Sequence, residues 1–213
     1  MMDKNYPTAS YKLRGRYRNA VRTGAVTAVA AHTATLGHLL SWRWDDSTVT
    51  GLVGAVRYVG ARFCLSTAFG TDQEMGIKLT RATSFTASHT GGTAVDVGGT
   101  VTGTGKRYYS QPASLLTSMR VADTDGLTAG THTFDANPVS IYTAFAETIG
   151  DTLPRHTSGG DYATLWDSRA TGDHLIFDND QGFVISNLLL MGATGVGTWT
   201  FVVEWDEGVL DGR

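Results

Sequence analysis

Histidine, cysteine and acidic side chains are the groups of this 213-residue chain that could bind a metal ion. The six histidines are scattered, and no two of them have the spacing of a metal-ligand pair. They are His32, His38, His89, His132, His156 and His174. Cys64 is the only cysteine, which argues against a zinc site built on thiolates and excludes an internal disulfide framework. We therefore expect no metal ion and no cofactor.

Two acidic turns offer oxygen donors of the kind that calcium prefers. Asp123 and Asp125 alternate in one turn, and Asp178 and Asp180 alternate in the other. Neither turn has the distal glutamate of the helix-loop-helix calcium motif. Aspartate is also common in turns between strands, because its side chain bonds to the nearby backbone. We interpret both segments as turns.

Glu204 and Asp206 are the nearest approach to a pair of catalytic carboxylates, since they share one face of a predicted strand. Acidic residues on an outer strand face are more often solvated or paired with basic neighbours. The glycines of residues 98–103 lack the strand-turn-helix context of a nucleotide-binding loop. We therefore predict a protein that is not an enzyme and has no catalytic or cofactor-binding residues.

The composition predicts strands as the elements that position these groups. Glycine is abundant (26 residues), only 17% of the residues are charged, and valine, threonine and aromatic residues recur in short runs between turns. We expect an all-β fold, a two-sheet antiparallel sandwich with a jelly roll as the favoured arrangement. Residues 23–213 would form this single domain. No apolar run is long enough for a membrane helix, and we find no signal peptide.

Residues 181–207 are the best-defined part of the predicted sheet structure. Two apolar runs flank a glycine-rich turn at 192–197, which predicts a β-hairpin. The first run, 183–191, is apolar on both faces and should be a central strand or part of a homo-oligomer interface. In the second run the aromatic residues alternate with polar ones. The predicted core anchors, which include two tryptophans of an earlier alternating run, are Trp42, Trp44, Trp199, Phe201 and Trp205.

Residues 1–22 are predicted to be an extended basic arm. Six lysine and arginine residues against one aspartate give the arm a charge of +5 in a chain whose net charge is −3. Such an arm could bind nucleic acid, dock on a partner protein or remain a solvated terminus. Its charge density is low for nucleic acid, so we favour docking. The candidate docking residues are Lys12, Arg14, Arg16, Arg18 and Arg22. Residues 86–105, rich in glycine and threonine, are predicted to be a long loop or a loose ribbon.

Several short segments, in this order, resemble a family of small structural proteins encoded among the virion genes of tailed bacteriophages. The similarity spans roughly residues 36–207 and is carried by residues 40–44, 84–94, 119–122, 127–135, 181–185, 197–201 and 203–207. The resemblance implies a virion structural protein made in the bacterial cytoplasm, with no catalytic residues to carry over. Residues 1–35 and 150–172 lie outside the close similarity, so the resemblance does not support a role for the arm.

Two roles fit such a protein. One is a capsid decoration, or cement, protein on the capsid surface, which would bind the major capsid protein as a homo-oligomer, with a trimer favoured. The other is a tail or head-fibre component, an adhesin that binds host-surface glycans. A carbohydrate-binding module would need exposed aromatic platforms, but Trp42 and Trp44 alternate onto one face that we expect to be buried. A coat protein that packages the genome is disfavoured by the thin basic arm.

Overall fold

The structure, a computed structural model, describes residues 11–45, 51–97, 105–107, 113–146, 152–154 and 162–210. Within these residues the fold is all-β, with fourteen strands and no helix, and so no helix that could cross a membrane. The strands are β1 (Tyr11–Arg22), β2 (His38–Trp44), β3 (Leu52–Thr67), β4 (Gln73–Ala87), β5 (Thr93–Ala94), β6 (Gly105–Arg107), β7 (Ser118–Val121), β8 (Thr131–Phe134), β9 (Ser140–Ala146), β10 (Thr152–Leu153), β11 (Ala163–Asp167), β12 (Leu175–Phe177), β13 (Gln181–Asn187) and β14 (Val196–Leu210).

The strands form two sheets of seven strands each, and the pairs described are all antiparallel. Sheet A has the order β10-β3-β14-β1-β6, with β11 and β12 also paired to β3. Sheet B has the order β5-β7-β2-β13-β4-β8, with β9 also paired to β4. The sheets pack face to face, which confirms the predicted sandwich, and the strand order is consistent with a jelly roll.

The core between the sheets is aromatic. All five residues predicted as core anchors are buried. In β14, Trp199, Phe201 and Trp205 face this core, because a strand turns alternate side chains to one face. The Trp205 ring of sheet A meets the Trp42 ring of sheet B at a centroid distance of 6.4 Å. The aromatic residues of β2 and β14 therefore join the two sheets.

The predicted hairpin at residues 181–207 is wrong. Its first arm is β13, which lies between β2 and β4 in sheet B, so the prediction of a central strand is confirmed. Its second arm is β14, which lies between β1 and β3 in sheet A. The connection at 188–195 therefore crosses from one sheet to the other. A crossing allows Phe183 and Phe201 to face each other across one core, whereas a hairpin would place both arms in the same sheet.

Residues 11–22 of the predicted arm are a strand of sheet A, not an arm apart from the sandwich. Strand β1 pairs with β14 along its length and with β6 on its other side. Tyr17 and Val21 turn into the core, because they alternate with arginines along the strand. Residues 1–10 of the arm lie outside the described residues, as do residues 98–104 of the predicted loop. In the described part of that loop, β5 pairs with β7.

The outer face of sheet B, which points away from the sandwich core, carries a second, smaller cluster of buried side chains. Ala82, Phe85 and Val184 form this cluster, with Phe134 of β8 packed against it. Residues 23–37 connect β1 to β2 and form no strand or helix beyond a single bridge at Val26. This connection brings His32 to the Phe134 ring, with a centroid distance of 5.3 Å.

Candidate functional site

Three of the five basic residues predicted to dock on a partner form ion pairs with β14 of the same chain. Arg14 binds Glu207 at 2.6 Å, Arg16 binds Asp206 at 2.8 Å, and Arg18 lies 3.4 Å from Glu204. The β1–β14 register places each of the last two pairs directly opposite one another. Arg22 donates to the Thr198 hydroxyl, and Lys12 lies opposite Val209.

Glu204 and Asp206 share the outward face of β14, as predicted, but they are buried there by basic side chains. Asp206 is bound by Arg16 and lies 3.5 Å from Arg57, and Glu204 lies between Arg18 and Arg169. The arginines occupy the positions around both carboxylates that general acid chemistry on a substrate would need. We interpret this face as a row of ion pairs that stabilises sheet A.

Exposed apolar side chains occur on β9 and on the connection that follows β13, at the same end of sheet B. We call Ile141, Phe145, Leu189 and Leu190 the β9 ridge. Ile141 and Phe145 alternate on one face of β9, opposite Lys78 and Glu74 of β4. Their exposed fractions are 54% and 58%, and that of Leu190 is 64%. Large apolar side chains gathered at this exposure are typical of an interaction surface.

The connection that follows β13 is fixed to the same end of the sheet. The Leu188 amide donates to the Gly76 carbonyl at 2.7 Å, and the Gln73 side chain donates to the Leu190 carbonyl. A Cβ atom at Gly76 would lie 3.1 Å from both Leu188 and Thr143, so the connection packs tightly against β4 at this glycine. The ridge is therefore carried by hydrogen-bonded backbone.

Three histidines from distant parts of the chain meet on the outer face of sheet B. His38 begins β2, His89 follows the end of β4, and His132 lies in β8. Each offers one ring nitrogen, and these three nitrogens lie within 4.8 Å of one another. We call His38, His89 and His132 the histidine triad. The rings of Phe85 and Phe134 contact it, with centroid distances of 4.3 Å to 5.7 Å.

Two backbone features assemble the triad. A register shift between Ile185 and Ser186 leaves Leu39 as an extra residue in β2, so His38 faces outward while Leu40 faces the core. A Cβ atom at Gly130 would lie 1.9 Å from the Ala87 carbonyl oxygen, so glycine is required where the chain enters β8. This close approach places His132 next to the segment that carries His89.

The hydrogen bonds assign the tautomers of the two buried histidines. His38 Nε2 lies 3.1 Å from the Thr33 carbonyl oxygen, which can only accept, so Nε2 carries the proton. His38 Nδ1 then accepts from His89 Nε2 at 2.7 Å. His89 Nδ1 remains an acceptor without a partner among the described residues, although His89 is only 1% exposed. The outer-face hydroxyls of Thr80 and Ser186 also have no partner within the described chain.

Burial keeps these imidazoles neutral. It lowers the pKa of His38 to about 4 and that of His89 to about 3. The pKa of His32 falls to about 4, mainly through burial and secondly through the charge of Lys78. Burial also lowers the pKa of His132, against the opposing effect of the Ala34 and Gly130 carbonyls. At neutral pH the cluster therefore presents ring-nitrogen lone pairs rather than positive charges.

We expect the protein in a chelating buffer to lose stability as pH falls from about 6.5 towards 4. The lowered pKa values of His38 and His89 mean that the unfolded state binds more protons in this window, which favours unfolding. His32, His132 and Lys78 face the pair and add to the effect if charged. Urea midpoints at pH 7, 6 and 5 measure the slope. The slope should be shallower in His89→Gln, and an unchanged slope would place its origin elsewhere.

Sequence reasoning missed the triad because its members are separated by tens of residues. The alternation of residues 36–44 placed His38 on the same face as Trp42, and no sequence signal marked the bulge at Leu39. One usable signal was present in β8, where His132 and Phe134 share a face opposite two threonines. An aromatic face on a short edge strand indicates a covered surface, and this could have directed attention to His132.

Comparison of this chain with protein-family models, with curated proteins and with solved structures finds no match in any of the three.

Proposed function

We propose that this protein is a non-enzymatic structural component of a tailed-phage virion, a decoration protein that binds the major capsid protein and stabilises the head. The observation that carries the proposal is the β9 ridge, an exposed apolar surface on a rigid sheet. We infer the partner, the major capsid protein, from the resemblance of residues 36–207 to tailed-phage virion proteins. The sandwich fold is in keeping with the proposal, since jelly rolls are frequent in capsid and lectin domains.

The composition of the β9 ridge suits binding to a protein surface. Phe145 and Leu190 would bury large apolar areas, and residues of this kind contribute much of the binding energy when they enter a pocket. Glu74 and Lys78, opposite Phe145 and Ile141 in the register, give the ridge a charged flank of each sign. An apolar centre with a polar rim is the usual anatomy of an interface.

A capsid lattice compensates for a small contact by repeating it. A standard interface buries about 1,600 Å², and symmetry repeats the same patch over the shell. A homo-oligomer, with a trimer as the proposed state, would engage several lattice sites together, and its avidity would exceed the affinity of one copy. The β1 arginines have no part in this binding surface, because Arg14, Arg16 and Arg18 pair within the chain.

The adhesin alternative requires an aromatic platform for a sugar ring. Trp42 and Trp44 are both 0% exposed, so neither can serve. Trp166, half-buried in β11, is the remaining tryptophan outside β14. We therefore do not propose glycan binding as a second function, and the experiment below includes it as an alternative result.

We expect Phe145→Asp and Leu190→Asp each to weaken binding to phage heads by 10-fold or more, since a hot-spot side chain is worth about 1–2 kcal/mol or more. Co-sedimentation of purified protein with heads that lack it measures the binding. Leu13→Asp is the matched control, because Leu13 is an exposed leucine (49%) of sheet A and should leave binding unchanged.

Two results would contradict the proposal. One is binding to heads that both ridge variants retain in full, which would place the contact elsewhere. The other is a protein that does not sediment with heads but binds host glycans, which would favour the adhesin. Gel filtration of the free protein reports the oligomeric state. A change of that state in the ridge variants would assign the ridge to self-association instead.

A further inference from the structure

We propose that the histidine triad, His38, His89 and His132, is a binding site for one divalent transition-metal ion of the zinc class. The inference is independent of the capsid proposal, since it concerns a separate part of sheet B and is tested on the isolated protein. It rests on the convergence of three ring nitrogens within 4.8 Å and on the hydrogen bond from His38 to the Thr33 carbonyl, which orients the His38 ring.

The spacing of the triad is close to that of a tetrahedral site. Zinc binds histidine nitrogen at about 2.0–2.1 Å, so two nitrogens on one ion lie about 3.3 Å apart. His38 Nδ1 and His89 Nε2, now 2.7 Å apart, would separate slightly as an ion replaced their hydrogen bond, and the proton of His89 Nε2 would move to Nδ1 of the same ring. The largest separation, 4.8 Å, would have to shorten by about 1.5 Å through rotation of the rings. His132 is half-buried, which leaves its ring more freedom to move than the other two.

The hydrogen bond from His38 Nε2 to the Thr33 carbonyl supports the assignment. Histidines that bind metal ions usually donate their other ring N–H to a carbonyl or a carboxylate, which fixes the tautomer and orients the ring. Here that bond leaves Nδ1 of His38 as a lone pair directed at His89 Nε2. Nδ1 of His38 is therefore already oriented before any ion binds.

The ligand set selects the class of ion. Three neutral imidazoles suit zinc, copper, nickel and cobalt, whereas calcium and magnesium require oxygen ligands. Three histidines leave a fourth position on a tetrahedral ion for water or another exogenous ligand. The His32 ring is tilted against that of His38, with a centroid distance of 5.6 Å, and lies outside the triad. The proposal therefore predicts that His32 is dispensable for binding.

Cobalt and zinc test the site on the full chain after dialysis against a chelator. We expect one equivalent of Co²⁺ to give a visible d–d spectrum, and Zn²⁺ to displace it. Isothermal titration should give a stoichiometry of one ion per chain. Zinc at 100 times its Kd should raise the Tm by roughly 5–10 °C for a domain of this size.

Variants locate the ion. We expect His38→Gln, His89→Gln and His132→Gln each to weaken zinc binding by about 100-fold or more. His32→Gln and His174→Gln, a near and a distant control, should stay within about threefold of the parent protein. Circular dichroism checks that each variant folds, and if the two buried positions do not tolerate glutamine, the half-buried His132 carries the test.

Each remaining result would overturn the proposal. Absence of stoichiometric binding at 100 μM zinc would mean that the triad is an aromatic packing cluster. Binding that persists in His132→Gln, or that is lost equally in His174→Gln, would place the ion outside the triad. A failure here would leave the capsid proposal untouched, because the head-binding assay does not involve these residues.

Discussion

Replacing Trp42 with alanine is expected to lower the free energy of unfolding by about 3–5 kcal/mol. The Trp42 ring is fully buried and contacts aromatic rings of both sheets. Its centroid lies 5.2 Å from that of Phe177 and 6.4 Å from that of Trp205 in sheet A. It lies 5.5 Å from that of Phe183 in sheet B. Alanine would leave a cavity between the sheets, which rigid strands can close only in part.

Urea unfolding followed by far-ultraviolet circular dichroism measures this loss. Trp42→Phe is the matched control and should cost much less, because the indole nitrogen of Trp42 has no hydrogen-bond partner within the described residues. A loss below about 1 kcal/mol for Trp42→Ala would contradict the packing described above.

Gly54 provides a sharper test of the same contact. A Cβ atom at Gly54 would lie 2.6 Å from Cη2 of Trp42, so Gly54→Ala should destabilise the parent protein. In the Trp42→Ala background this contact disappears while one of 2.9 Å with the Trp44 ring remains, so the added methyl group should be tolerated better but not fully. The sum of the two single losses of unfolding free energy should therefore exceed the loss of the double variant. Additive losses would indicate that the two residues do not interact.

Glu207→Gln is expected to destabilise the protein by about 3–5 kcal/mol, as for other buried ion pairs that lose one partner. The Glu207 carboxylate is fully buried and accepts from Arg14, from the Ser114 hydroxyl and from the Leu115 amide. The Trp205 indole N–H is a further donor at 3.2 Å. An amide group would turn its own N–H towards one of these donors and leave buried groups unpaired.

The Arg18–Glu204 pair, in which the arginine is exposed, is the control for Glu207. Arg18 is 48% exposed at its side chain and lies 3.4 Å from Glu204, so Arg18→Gln should cost no more than about 1 kcal/mol. Burial raises the pKa of the Glu207 carboxyl, and its donors act against this increase. Urea midpoints of both variants decide the comparison. Equal losses of unfolding free energy in Glu207→Gln and Arg18→Gln would mean that the burial of an ion pair does not determine its contribution to stability.

The sequence predicted sheet structure well where one face of a strand is buried. In β14 the aromatic residues alternate with polar ones, and the structure keeps that alternation. The same signal was present in β1, where Tyr17 and Val21 alternate with arginines, but the basic charge drew the interpretation towards an arm. Charge at alternate positions next to an acidic strand indicates pairing within the sheet, as the Arg16–Asp206 pair shows.

Features that depend on pairing between distant segments could not be read from the chain. The glycine-rich turn at 192–197 is compatible with a hairpin or with a crossing, and only the partners of β13 and β14 decide between them. The bulge at Leu39 has the same origin, since it is defined by the register with β13. The histidine triad depends on both that bulge and the close approach at Gly130. The spacing of the three histidines along the chain therefore does not predict it.

The position of β14 has a consequence for the order of folding. Residues 196–210 fill the centre of sheet A, between β1 near the start of the chain and β3. During synthesis, β1 and β3 therefore remain unpaired with β14, their common neighbour, until residue 210 has left the ribosome. Their unpaired edges are exposed to solvent and to other nascent chains for that time. Pairing between residues this far apart closes long loops, which places the molecule among the slow folders of the β class.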